Sequence, residues 1–91
     1  MTYEEEIAPH RAEINQLNAE IIDRLAKRVE VARAIADVKR RHGRPVVDAV
    51  RERIVLDQAR VRATERGLDP DGAERVFRVI IDVCVEAEEQ R

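Results

Sequence analysis

Three basic residues interrupt an apolar stripe in the first part of the chain, at positions where charged side chains are not expected. Arg11, Arg28 and Lys39 fall where the three- and four-residue steps of the stripe assign apolar residues. A buried cation without an anion is costly, so each of the three needs a carboxylate from the protein or from a ligand. The apolar members of the stripe are Ile7, Ile14, Leu17, Ile21, Leu25, Ala32 and Ile35.

Charges also fall on the apolar faces of the two later segments. Arg51 shares a face with Ile54 and Val55, and Glu88 occupies the next step of a stripe that ends at Cys84. Mutual ion pairs, or side chains that reach solvent at the edge of a stripe, explain any single one of these charges. The whole set holds more cations than acids, which leaves room for an anionic ligand. The cations are Arg11, Arg28, Lys39 and Arg51, and the acids are Asp48, Glu52 and Glu88.

The spacing of the cations limits the size of that ligand. Arg28 and Lys39 lie about 16 Å apart along one helix face, so their long side chains can grip a molecule of roughly benzoate size. Arg11 lies about 25 Å from Arg28, too far to join the same site within one chain. In an antiparallel dimer, the partner's Arg11 can reach the site that Arg28 and Lys39 form. We therefore expect a small ligand with more than one carboxylate, held between two subunits.

The composition excludes several other classes of function. Aromatic residues make up 2% of the 91 residues and the net charge is -2, which argues against nucleic-acid binding. A single cysteine allows no intrachain disulfide, and no apolar run is long enough to cross a membrane. The chain is predicted to be cytoplasmic and to need no metal or cofactor. Cys84 is interpreted as a small core residue rather than a nucleophile, so a reaction here depends on positioning and electrostatics.

Glycine and proline divide the chain into three helices, and no segment shows the two-residue alternation of a strand. Gly43 and Pro45 end the first helix, Gly67 ends the second, and Asp48 and Asp69 are candidate N-caps. The predicted fold class is all-α, in a single domain of residues 1–91, with one very long helix at about 6–42 and shorter helices at about 49–66 and 70–90.

The first helix is predicted to begin near Glu5–Ala8. A start at the apparent capping box of residues 2–5 would place Pro9 inside the helix, where proline costs about 3 kcal/mol, so the box is interpreted as a false positive. A helix of the predicted length spans about 55 Å, whereas a compact chain of this size has a diameter of roughly 30 Å. Two shorter helices cannot cover such a rod, so we predict a two-fold homodimer.

The linker between the first two helices has the residues of a known family. A long helix with spaced Arg and Lys, this linker and two shorter helices together resemble the all-helical (AroQ-class) chorismate mutases over nearly the whole chain. The resemblance implies an intertwined homodimeric helical bundle with two shared active sites. It also implies the rearrangement of chorismate to prephenate, toward phenylalanine and tyrosine, without a cofactor. The linker segment is Arg44-Pro45-Val46-Val47-Asp48-Ala49-Val50-Arg51-Glu52-Arg53.

The resemblance assigns the charged positions to steps of that reaction. Lys39 is expected to bind a carboxylate and the ether oxygen of the breaking bond, where a compact ammonium suits a single oxygen. Glu88 is expected to act as a catalytic neutral acid. The substrate carboxylates are expected on Arg11 from the partner subunit and on Arg28 and Arg51, because the guanidinium fork can hold a carboxylate through two hydrogen bonds.

The resemblance also implies further contacts with the substrate and contains two departures. Glu52 and the Asp48 region are expected to hold the ring hydroxyl. Cys84 replaces a small hydroxyl residue that can help to bind substrate, and Glu88 replaces the Gln of many members. A carboxyl donates only when protonated; burial raises its pKa and nearby Lys39 and Arg51 lower it, so the sequence leaves the direction open. The expected apolar wall is Ile35, Val55, Ile81 and Val85.

Two other functions fit the same sequence. An isochorismate-pyruvate lyase on this scaffold would use much the same cations on a sister substrate and release pyruvate. A non-catalytic helical dimerisation or regulatory module would be expected to lose one or more of the stripe cations, and all four are present. The four cations thus argue against the non-catalytic module, whereas the motifs do not separate mutase from lyase. The mutase is the favoured function, and the length of the chain favours a stand-alone enzyme.

Overall fold

The computed structural model describes residues 1–90, and within them the chain forms three α-helices and no strand. Helix α1 is Tyr3–Arg41, α2 is Ala49–Glu65 and α3 is Pro70–Glu89. The predicted all-α class, with one long and two shorter helices, is confirmed. None of the helices in this part of the chain is long and apolar enough to cross a membrane.

The start of α1 differs from the predicted start near Glu5–Ala8. The helix begins at Tyr3, and the hydroxyl of its N-cap Thr2 accepts a hydrogen bond from the backbone N–H of Glu5 at 3.1 Å. The prediction that rejected this cap is wrong, and Pro9 lies inside the helix. The cap and three glutamates in the first turn, which face the positive end of the helix dipole, offset the hydrogen bond that proline cannot donate.

The other helix ends follow the local signals in the sequence. Gly43 and Gly67 adopt positive φ angles of 65° and 75°, which a residue with a side chain rarely takes. At both glycines the backbone N–H groups bond back to carbonyls of the preceding helix turn, which ends the helix. The predicted N-caps Asp48 and Asp69 are confirmed at the starts of α2 and α3.

Helix α3 is the central element of the fold. It packs against both α1 and α2, whereas α1 and α2 do not pack against each other in the described chain. The core is small, and Leu56 is its one fully buried large side chain among the residues described. This is less buried apolar surface than a chain of this length ordinarily needs. The other buried apolar residues are Ala36, Ala63, Ile81, Cys84 and Ala87.

The N-terminal half of α1 extends beyond the other two helices. Every residue from Ala8 to Arg24 is exposed, including Ile14, Leu17 and Ile21 of the apolar stripe. The molecule is 62 Å long in its longest dimension. Its accessible surface is 7175 Å², whereas a compact monomer of this mass exposes about 5,400 Å². One chain therefore leaves a large part of its own apolar surface uncovered.

Candidate active site

A cavity of about 340 Å³ lies where the C-terminal half of α1, the linker before α2, the start of α2 and the end of α3 meet. This volume suits a small organic molecule. Eleven of the twelve site residues predicted from the sequence line it, and Arg11 is the exception. The lining residues are Arg28, Val31, Ala32, Ile35, Lys39, Val46, Asp48, Arg51, Glu52, Val55, Ile81, Cys84, Val85 and Glu88.

Arg11 lies far from the cavity, in the uncovered half of α1. Its side chain is 63% exposed and lies 3.7 Å from the carboxylate of Glu4. Because α1 is one continuous helix, Arg11 and Arg28 are held about 25 Å apart in the same chain. Arg11 can therefore join a cavity of this kind only in a second copy of the chain.

Three cations face the cavity, and within residues 1–90 none of them forms an ion pair with a carboxylate. Arg28 donates to the sulfur of Cys84 at 3.0 Å. Lys39 donates to the backbone carbonyl of Val46 at 2.8 Å, so the linker fixes its ammonium while two of its N–H groups stay available. The third cation is Arg51. Cations with neutral partners keep their charge available for an anionic ligand.

Two of the three acids at the cavity have other partners. Asp48 accepts a hydrogen bond from the backbone N–H of Arg51 at 3.0 Å, as the N-cap of α2. Glu52 pairs with Arg78 of α3 at 2.8 Å, and Arg78 does not line the cavity. Neither carboxylate therefore neutralises a cation of the cavity, whose surroundings stay positive.

Glu88 is the one buried charged residue in the described chain, with 8% of its surface exposed. Burial raises the pKa of its carboxyl, and the positive charges of Lys39, Arg40 and Arg28 lower it by less, so the net shift is upward. The direction that the sequence left open is thus decided by burial. Glu88 keeps its proton to higher pH than an exposed glutamate and can then donate a hydrogen bond.

Five residues at or behind the cavity were not assigned to the site by sequence reasoning. Ala32 and Val31 line it from α1; Ala32 was placed on the apolar stripe, and the helical spacing of Val31 from Arg28 and Ile35 could have identified it. Val46 contributes a backbone carbonyl, which a side-chain pattern does not reveal. Arg78 and Arg40 contact cavity residues from behind. Their contacts depend on how two helices align, which no local pattern specifies.

The fold and the cavity together define a class of protein. It is an all-helical protein whose described residues form a cavity of small-molecule size lined by three cations. Lys39 and the Glu88 carboxyl, whose pKa burial raises, face the same space. Fixed donors of this kind stabilise negative charge that develops on an oxygen during a reaction.

Comparison with known sequences identifies the family. Residues 10–89 match the chorismate mutase type II family, so the chain belongs to this family, as the sequence predicted. It is 33% identical over 85 residues to the 4-amino-4-deoxychorismate mutase of Streptomyces venezuelae, covering 92% of this chain and 82% of that protein. It is 27% identical over 78 residues to the chorismate mutase of Methanocaldococcus jannaschii, covering 86% and 79%. It is 35% identical over 78 residues to the T-protein of Haemophilus influenzae, but spans only 21% of that protein's length.

Proposed function

We propose that this chain rearranges chorismate to prephenate, as a homodimer with two shared active sites. The observation that supports this best is the group of Arg28, Lys39 and Arg51 around one cavity, without carboxylate partners in the described chain. Chorismate carries two carboxylates and an ether oxygen, which are the acceptors that these cations lack. Membership of the chorismate mutase type II family agrees with this substrate.

Substrate binding follows from the fixed cations and the apolar wall. Arg28 and Arg51 hold the substrate carboxylates, and the hydrogen bond from Arg28 to Cys84 orients the guanidinium for that contact. Glu52 and Asp48 line the same cavity and hold the ring hydroxyl in this proposal. Together these contacts keep a flexible substrate in the compact chair that reacts, which lowers the entropic part of the barrier. Ile35, Val55, Ile81 and Val85 form the apolar wall of this space, against which the carbon skeleton of the substrate packs.

The chemical step needs hydrogen-bond donors on one oxygen. As the C–O bond breaks and a C–C bond forms, negative charge builds up on the ether oxygen. Lys39 donates to that oxygen through an N–H group that Val46 does not use. Glu88 donates to the same oxygen when its carboxyl is protonated, and its raised pKa extends this donating form to higher pH than an ordinary glutamate allows. No covalent intermediate is required.

A second copy of the chain completes the structure and the site. The uncovered half of α1 bears Ile14, Leu17 and Ile21 together with Arg11, so a partner that covers the apolar side chains also brings an arginine to its surface. The partner's Arg11 then supplies the cation that one chain lacks at the cavity.

Incubation of the purified protein with chorismate tests the reaction, through loss of the ultraviolet absorbance of chorismate and formation of prephenate. Parallel incubations use isochorismate and 4-amino-4-deoxychorismate, the compound in the name of the Streptomyces relative. Turnover of chorismate above the other two supports the proposal. Pyruvate release from isochorismate would identify the lyase, and preferred turnover of the amino compound would identify the other mutase. No turnover of chorismate would contradict the proposed reaction.

Mixed dimers test the shared site. Arg11→Ala and Lys39→Ala are each expected to be nearly inactive, because each damages both sites of its own dimer. After refolding of an equal mixture, about a quarter of the sites hold both native residues, so activity is expected to return to about a quarter of the parent value. The absence of any recovery, in a sample that sedimentation shows to contain dimers, contradicts sites shared in this way.

A further inference from the structure

The last turn of α3 is poorly suited by its sequence to end a helix. The carboxyl end of a helix carries partial negative charge, and its last carbonyls lack partners within the helix. The last turn of α3 contains no basic residue, and the exposed Glu86 and Glu89 add negative charge there. In contrast, α1 ends on three basic residues. The turn that bears Glu88 therefore needs support from another element.

Arg40 of α1 provides this support. Its Nη2 donates a hydrogen bond to the backbone carbonyl of Glu88, and its Nη1 lies 3.3 Å from Oδ1 of Asp37, one turn earlier in α1. The guanidinium thus brings both a donor and a positive charge to the end of α3, the two things that its sequence lacks. Arg40 does not line the cavity, so it acts through Glu88.

We infer that Arg40 is a positioning residue, which caps α3 from α1 and thereby holds the Glu88 carboxyl in the cavity. Its effect on catalysis rests on the proposed function. Lys39 directly precedes Arg40, so one segment of α1 both places the ammonium at the cavity and fixes the helix end that bears Glu88. The two proposed donors to the ether oxygen are aligned with each other through this segment.

The electrostatic surroundings of Glu88 make the capping role measurable. Loss of the Arg40 charge alone would raise the pKa of Glu88 further, because Arg40 lowers it. Fraying of the last turn would instead expose Glu88 to water and lower its pKa toward the ordinary value. The two effects have opposite signs. Within residues 1–90, the charged groups at this site are Arg28, Lys39 and Arg40 of α1, with Asp37 beside Arg40, then Asp48, Arg51 and Glu52 at the start of α2, and Glu89 of α3.

The test compares Arg40→Ala with Arg41→Ala. Arg41 is exposed and makes no ion pair within the described residues, so it is a matched control. For Arg40→Ala we expect kcat to fall about tenfold while KM stays within about twofold of the parent value. We also expect the alkaline fall in kcat to move to lower pH and the amides of residues 86–90 to exchange hydrogen faster. Arg41→Ala is expected to match the parent, and Arg40→Lys to recover most of the turnover.

Two results would overturn the inference. One is an Arg40→Ala protein with parental kcat and parental amide exchange. The other is an alkaline fall that moves to higher pH with unchanged kcat, since Arg40 would then act through its charge alone. Amide exchange needs no substrate, so it tests the cap even if the parent fails to turn over chorismate, a failure that would count against the proposed function instead. Should Arg40→Ala not fold, Arg40→Gln keeps a donor without the charge. It is expected to show near-parental amide exchange and kcat with an alkaline fall moved to higher pH, and faster exchange of the Arg40→Lys protein than of Arg40→Gln would contradict the cap.

Discussion

The arginines between α2 and α3 and the cations at the cavity differ in the partners they have. At the α2–α3 seam, which we define as Arg53, Asp57, Arg60, Asp71 and Glu74, every charge has an opposite charge nearby. Arg53 lies 2.7 Å from Glu74 and Arg60 lies 2.8 Å from Asp71. Hydrogen bonds between these groups raise the pKa of both arginines and lower the pKa of Glu74.

The cavity cations lack such partners. Arg28 bonds to a thiol and Lys39 to a backbone carbonyl, both uncharged. The nearby carboxylate of Glu52 is bound by Arg78 from outside the cavity. A cation paired with a carboxylate contributes its charge to the fold, whereas a cation held by a neutral acceptor keeps it for a ligand. Residue type alone does not distinguish the paired arginines of the seam from the unpaired cations of the cavity. The two groups differ in the side chains that the facing helix places opposite them.

The largest effect is expected from Lys39→Ala, because it removes the proposed donor to the ether oxygen. Loss of one such donor lowers kcat on the order of 10²- to 10³-fold. The dimer is expected to remain intact, since the Lys39 ammonium contacts the linker rather than the uncovered half of α1. Steady-state kinetics with chorismate and sedimentation measure the two quantities.

Lys27→Ala is the control for this variant, since Lys27 is the other lysine of the chain and lies in the same helix. Its side chain is 67% exposed and lies 3.6 Å from Glu30. Kinetics of the control are expected to match the parent. If Lys39→Ala keeps near-normal turnover, the unpaired cations do not serve the reaction, and the contrast between seam and cavity loses its functional meaning.

Much of the fold was predictable because its signals are local. Gly43, Gly67, Asp48 and Asp69 each end or begin a helix through their own backbone or side chain, so a few neighbouring residues contain the information. The start of α1 was mispredicted because two local signals conflict there. The unfavourable Pro9 was weighted above the N-cap, and the cap prevails in the structure.

The candidate site, like the fold, was predictable where the sequence signal is local and not where it depends on the packing of different helices. Helical periodicity indicates that Arg28, Lys39 and Glu88 leave the solvated faces, and they line one cavity. Periodicity does not indicate which acid meets which cation, because that depends on the alignment of different helices and on side-chain rotamers. The pairing of Glu52 with Arg78, at 2.8 Å, is of this kind. The sequence could thus count the charges at the site but could not predict which of them remain unpaired.

Glu88→Gln is expected to change the pH dependence more than the maximal rate. Burial raises the pKa of Glu88, so the donating form persists above the range of an ordinary glutamate and is lost as the pH rises through the raised value. Above that value the parent kcat is expected to fall about tenfold per pH unit, whereas the Gln variant, whose amide always donates, stays level. Glu86→Gln, at an exposed glutamate of the same helix turn, is the control. Identical alkaline profiles for parent and Glu88→Gln would show that Glu88 is not the titrating donor.

Arg78→Gln is expected to have a smaller effect, seen in KM. Without its partner at 2.8 Å, the Glu52 carboxylate becomes free to compete with the substrate for the cavity cations. We expect KM to rise about threefold to tenfold with little change in kcat, and Arg78→Lys to restore binding. Arg75→Gln on the same helix is the control, because Arg75 is exposed and makes no ion pair in the described chain. An unchanged KM would show that Glu52 does not pair with the cavity cations even when Arg78 no longer binds it.

The smallest effect is expected from Arg60→Gln at the seam. Arg60 contacts Asp71 at 2.8 Å and Glu74 at 3.5 Å, but these groups are largely solvated, and ion pairs of this kind contribute little to stability. A slightly lower Tm is expected, with kcat and KM unchanged. In about 1 M NaCl the difference in Tm should disappear, since charges are then screened over about 3 Å. A rise in KM as large as that of Arg78→Gln would mean that any broken pair between α2 and α3 disturbs the cavity. Arg78 would then matter for packing rather than for its partner Glu52.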